Sequence, residues 1–112
     1  GVVYTNPEVA GIGLTESAAL KAGLDVRVLK LPMAYSGRFV AENERGTGLC
    51  KIVCEKDTGR VLGVHLMGNP ASEIAAACCL AVEKGMTVSD LRRTVFPHPS
   101  VSEILKETAW TE

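Results

Sequence analysis

The stretch from Leu49 to Met67 leaves the chain little choice of fold. Leu49 to Cys54 and Val61 to Met67 are two strand-like runs, and Lys56-Asp57-Thr58-Gly59 joins them as a turn with glycine where a positive φ is wanted. An antiparallel hairpin therefore stands near the middle of the sequence. Upstream, Val9 to Leu14 reads as a strand that stops at Thr15, a good N-cap, and Glu16 to Ala22 reads as a short helix closed by Gly23. Val26 to Leu31 is a further strand ended by Pro32; its apolar positions change face at Leu29, which points to a bulge or a twist. Met33 to Thr47 reads as a long connection with a short strand near Arg38 to Val40.

Helices follow the hairpin. Asn69-Pro70 supplies an N-cap and a proline at the first helical position, and the helix runs through Ile74, Cys78 and Val82 to Lys84 before Gly85 stops it. From Ile74 to Val82 it has no polar face, which predicts cover on both sides and hence a partner surface. Thr87-Val88-Ser89-Asp90 resembles a capping box opening a short helix through Arg93; the chain then turns extended through Phe96-Pro97-His98-Pro99, and Ser100 starts a last helix toward Trp110. This order describes an α+β fold: an antiparallel sheet covered on one face by helices, with an interface helix and a C-terminal helix. At 112 residues, 46% of them hydrophobic, the chain suffices for one domain with a core and is too short for two. Residues 1–112 are thus read as a single domain. Because Gly1 leads at once into a strand-like run, the domain is expected to be excised from something longer.

Composition removes several classes of function. Twelve basic residues stand against 13 acidic ones, with no basic run and only 4% aromatics, so neither nucleic acid nor an anionic membrane surface finds its electrostatic or stacking partner. The longest apolar stretch, Ile74 to Val82, is about half of a bilayer span, and no targeting signal is visible, so a soluble cytoplasmic protein is expected. Four cysteines invite a disulfide or zinc reading. In a strand, Cys50 and Cys54 lie about 13 Å apart, beyond the roughly 7 Å a bridge allows, and adjacent Cys78 and Cys79 point about 100° apart on a helix. No C-x2-C pair or spaced histidines offer a metal site. The cysteines read as small buried hydrophobes in a reducing compartment, with no metal expected.

The segment that could carry chemistry is Pro97-His98-Pro99-Ser100-Val101-Ser102-Glu103. A histidine between two prolines stays out of a helix and is presented on a stiff extended segment, with a His98-Pro99 bond open to the cis form. Five residues on, a fold-back lets the Glu103 carboxylate bond one imidazole nitrogen while the other faces a substrate, the geometry of an oriented general acid/base. The same Ser100-x-x-Glu103 spells a capping box, in which Glu103 merely satisfies a backbone donor, and spacing alone leaves both readings open. His65 reads as a sheet-surface histidine. Gly11-Ile12-Gly13 is a glycine-fingerprint fragment without its third glycine, a bend and not a phosphate cradle, and no Walker loop or nucleophile elbow is present.

Four segments taken together resemble a known family: Val3-Tyr4-Thr5-Asn6-Pro7-Glu8-Val9-Ala10, Gly13-Leu14-Thr15-Glu16, Gly59-Arg60-Val61-Leu62-Gly63 and His98-Pro99-x-x-x-Glu103. In this order, over nearly the whole chain, they are similar to the C-terminal interface domain of dihydrolipoyl dehydrogenases, flavin-dependent pyridine nucleotide-disulfide oxidoreductases. The chain departs from the family at Ser100-Val101, where Thr-Leu is usual, and in carrying two cysteines in the helix before the motif. The resemblance implies an FAD and NAD enzyme, a homodimer, reoxidising dihydrolipoyl groups on the lipoyl-bearing protein of a 2-oxo acid dehydrogenase or glycine-cleavage complex. It implies that His98 serves as acid/base on the substrate thiol and Glu103 as its orienting partner, both lent to the other subunit's active site. The reactive cysteine pair and the FAD and NAD sites belong to upstream domains, so this domain alone is expected to hold no cofactor and to be inactive. Cys50, Cys54, Cys78 and Cys79 are then not the redox pair. The alternatives are the same domain of a glutathione or other disulfide reductase, or a freestanding dimerisation or binding module.

Overall fold

The computed structural model describes residues 1–111; Glu112, the last residue of the expected domain, lies outside the described residues. Five strands, β1 (Val2–Val3), β2 (Val9–Gly13), β3 (Val26–Pro32), β4 (Leu49–Glu55) and β5 (Val61–Met67), form one sheet in the order β1-β2-β5-β4-β3. All neighbours are antiparallel. The β4–β5 hairpin sits inside the sheet, with Ile52 opposite Val64 and Gly59 at φ 74° in its turn. β2 adds to β5 with Ile12 opposite Val64, and β3 adds to β4 from Val26 opposite Glu55 to Pro32 opposite Leu49.

No bulge interrupts β3. Its register with β4 is continuous, and the one shift falls between Val53 and Cys54 on the β5 side. The change of apolar face at Leu29 has another cause: both faces of the sheet are covered here. Leu29 and Leu31 face the main core, whereas Val26 and Val28 pack with Ala19, Val53 and Leu62 in a second cluster. α1 (Glu16–Lys21) lies over that second cluster, capped by Thr15 and closed at Gly23, φ 79°. The larger layer, α3 (Ala71–Glu83), α4 (Val88–Arg93) and α5 (Ile104–Ala109), covers the other face, where Cys50, Ile52, Val64 and Leu66 meet Ile74, Cys78, Leu91, Ile104 and Leu105.

Two local expectations are corrected. Arg38 to Val40 belongs to a helix, α2 (Gly37–Glu42), not a strand. The Ser36 hydroxyl accepts the Phe39 N–H at 3.2 Å, and the helix drives Phe39 into the core at 1% exposure, so capping and burial together override the β preference of Phe39-Val40. Nor is Asn69 the N-cap of α3, which has Pro70 at that position and no side-chain cap bond. Asn69 is committed elsewhere: its Oδ1 accepts the Glu8 N–H at 2.9 Å and its Nδ2 donates to Asn6 Oδ1 at 2.9 Å. Glu8 takes over the helix end, its Oε1 accepting the Ser72 N–H and hydroxyl at 3.0 and 2.9 Å, a carboxylate placed where the helix dipole favours one.

α3 buries Ile74, Ala75, Cys78 and Ala81 against the sheet and turns Ala76, Ala77, Cys79 and Leu80 outward, Leu80 being 59% exposed. Its inner side is thus covered by this domain, and its outer apolar side stands open in the single chain. Among the described residues no helix is long and apolar enough to cross a membrane.

Candidate active site

α4 fixes the approach to the site. Thr87 and Asp90 form the expected capping box, Thr87 Oγ1 accepting the Asp90 N–H at 3.1 Å and Asp90 Oδ2 accepting the Thr87 N–H at 2.9 Å. The bond from the Thr87 N–H, followed by one from the Thr87 side chain, holds the Asp90 carboxyl below its ordinary range. After Arg93 the chain runs extended past Val95, 90% exposed, and Phe96, which packs on the core, to Pro97, His98 and Pro99, with the His98-Pro99 bond cis. Ser100 then opens a 3₁₀ turn, Val101–Glu103, that continues into α5.

Here the two readings of Glu103 merge. One carboxylate caps the turn, its Oε1 accepting the Ser100 N–H at 2.9 Å, and also meets His98 Nδ1 at 3.0 Å through Oε1 and 3.1 Å through Oε2. The bond from the His98 ring, followed by that from Ser100, keeps the Glu103 carboxyl low, so it is an anion at neutral pH. With that carboxylate as acceptor, a neutral imidazole carries its proton on Nδ1 and leaves the Nε2 lone pair for an outside group. The His98 side chain is 82% exposed and that of Glu103 only 22%, so the base is presented and its support is sheltered. Such a pair accepts a proton at Nε2 while the anion steadies the imidazolium that results.

The other candidates are structural. The His65 ring lies over Gly11, where a Cβ would come within 3.2 Å of Nδ1, and its Nε2 sits 3.0 Å from the Leu14 carbonyl. Gly11 and Gly13 belong to β2 rather than to a strand-to-helix turn, so these residues do not fit a dinucleotide phosphate. Cys50, Cys54 and Cys78 are buried free thiols and Cys79 an exposed one. Burial pushes Cys50 and Cys78 up to about 12, which makes them poor nucleophiles. Among the described residues no three side chains cluster as metal ligands.

Two residues that touch the His98 segment were not singled out from the sequence. Ser36 reaches it from the start of α2, and Lys106 from α5. Nothing local in the sequence marked either as a neighbour of that segment, since Ser36 lies 64 positions from Ser100 and Lys106 lies 12 from Thr94.

A family profile described as pyridine nucleotide-disulphide oxidoreductase, dimerisation domain, matches residues 1–109. The dihydrolipoyl dehydrogenase of Thermus scotoductus is 49% identical over 108 residues, covering 96% of this chain and 23% of its own length. The mitochondrial dihydrolipoyl dehydrogenase of Pisum sativum is 40% identical over 109 residues, covering 97% of this chain and 22% of its own. Among solved structures, LpdA of Mycobacterium tuberculosis superposes with a TM-score of 0.86 at 31% identity over 97% of this chain and 24% of that one. The HOCl-induced flavoprotein disulfide reductase RclA of Escherichia coli gives 0.90 at 28% identity over 100% of this chain and 26% of that one. The chain spans about a quarter of the length of each of these four relatives.

Proposed function

This chain belongs to the dimerisation-domain family of the pyridine nucleotide-disulphide oxidoreductases, and on that premise we propose that it serves a dihydrolipoyl dehydrogenase. In that reading it joins two subunits and lends His98 and Glu103 to the partner's active site. His98 Nε2 takes the proton from a dihydrolipoyl thiol as that thiol attacks a disulfide, and Glu103 holds the ring and steadies the imidazolium. FAD and NAD supply the onward electron transfer from the upstream part of the enzyme, and a lipoyl-bearing protein delivers the substrate. The observation that carries this reading is the Glu103 carboxylate seated on Nδ1 of a histidine that is itself 82% exposed. The outer face of α3, apolar through Ala76, Ala77, Cys79 and Leu80, supports dimerisation over that helix. Free buried thiols support a cytoplasmic setting. By itself, without the flavin, the domain is inactive and colourless.

The test compares two reactions of the full-length enzyme. His98→Gln lowers dithiol oxidation by roughly 10² to 10⁴, the range for a positioned acid/base, and Glu103→Gln lowers it less, while NADH reduction of a dye survives both. Unchanged dithiol turnover in His98→Gln would sink the assignment. The likeness to RclA, at a TM-score of 0.90, favours a second reading, a reductase of another disulfide. Preference for a non-lipoyl disulfide in a substrate panel would select it.

A further inference from the structure

His98 stands in the middle of a strap that does little to hold itself. From Val95 to Pro99 no backbone hydrogen bond is made among the described residues, two of the five are prolines without an N–H, and only Phe96 packs on the core. The ends are held by side chains. At the near end Lys106 Nζ donates to the Thr94 carbonyl at 2.8 Å. At the far end Glu103 accepts the Ser100 N–H, and the Ser36 hydroxyl donates to the Ser100 carbonyl at 3.2 Å. Ser36 is itself fixed, 2% exposed and accepting the Phe39 N–H. Glu103 and Lys106 are three residues apart, one helical turn, so a single face grips both ends of the strap.

We propose that Lys106 and Ser36 are positioning residues that clamp the strap and thereby keep His98 Nδ1 on Glu103. The purpose of the clamp rests on the acid/base reading of His98; its geometry does not. Release of either end lengthens the free segment and restores φ/ψ freedom to residues with no bonds of their own, whereas the His98–Glu103 contact survives only within about 3.2 Å. Lys106 holds a carbonyl through a donor, so arginine can replace it and methionine, of similar length, cannot.

The test is NMR on the full 112-residue chain, at a pH where imidazole is neutral, reading the His98 ring nitrogen shifts and the backbone order parameters of the strap. The unsubstituted chain shows the Nδ1–H tautomer and order parameters of about 0.85. Lys106→Met moves the ring toward the tautomer mixture of an unbound imidazole and drops Val95, Phe96 and His98 below about 0.6, and Lys106→Arg restores both. Ser36→Ala gives the same signature from the other end, which keeps the proposal testable if Lys106→Met disturbs α5. Unaltered tautomer and order in Lys106→Met with α5 intact, or Lys106→Arg behaving as Lys106→Met does, would overturn it. No turnover is measured, so failure of the acid/base reading and failure of the clamp register in separate experiments.

Discussion

Cys79 gives the most direct view of the open face of α3. It is the exposed thiol of four; Cys50, Cys54 and Cys78 are each 0% exposed. Burial holds Cys50 and Cys78 up to about 12. At pH 8 a thiol at that value is ionised to about one part in 10⁴, against about a quarter for an ordinary cysteine near 8.5, so these two react roughly 10³ times more slowly even before steric exclusion. Titration of the native chain with an aromatic disulfide at low protein concentration therefore shows one fast thiol, abolished by Cys79→Ser, and three that react after denaturation. Because Cys79 shares its face with Ala76, Ala77 and Leu80, association over α3 covers it. The fast phase should slow as protein concentration rises, and Leu80→Asp should keep it fast at every concentration. Two or more fast thiols would refute the burial argument. A fast phase indifferent both to concentration and to Leu80→Asp would refute α3 as the interface.

Phe39→Ala should cost about 3–5 kcal/mol by chemical denaturation, since it empties a core site 1% exposed and loosens the helix that Ser36 caps; a loss under about 1 kcal/mol would contradict that placement. Acid should destabilise the chain through Glu103 and Asp90, whose carboxyls are held below the ordinary 4.5 and 3.8, Glu103 first by the His98 ring and Asp90 first by the Thr87 N–H. Folded pKa values below unfolded ones mean that the unfolded chain binds these protons more readily, so the stabilisation is present above the ordinary values and is lost as pH falls through the lowered ones. Denaturation curves across the acid range should show this loss, and Glu103→Gln with Asp90→Asn should flatten it; stability that rises on acidification would contradict the assignment.

What was legible in the sequence is what is decided within a few residues. The turn at Gly59, the caps at Thr15 and Thr87 and the stops at Gly23 and Gly85 are all local, and each appears where the chain spells it. The His98–Glu103 contact was legible for the same reason, since its partners are five residues apart. What escaped depends on distant partners. Asn69 was lost as a cap because Glu8, 61 positions away, claims its side chain. α2 was hidden because a glycine and adjacent Phe39-Val40 look unhelical, and only the core that receives Phe39 decides otherwise. Ser36 meets Ser100 across 64 positions, a separation at which no sequence pattern reports contact. The apolar switch at Leu29 was visible but ambiguous, because a bulge and a sheet covered on both faces leave the same pattern.

Whether this domain completes the other subunit's site is decided by subunit mixing in the full-length enzyme. One inactive parent carries His98→Gln; the other keeps His98 but has its reactive cysteine pair replaced. If His98 serves the partner, each hybrid dimer holds one site with cysteines from the first parent and histidine from the second. Random exchange at equal amounts then restores about a quarter of the unsubstituted dithiol turnover from two inactive stocks. If His98 acts within its own subunit, every site in every hybrid lacks one of the two parts, and a mixture that exchanges subunits yet stays as inactive as its parents would contradict the account.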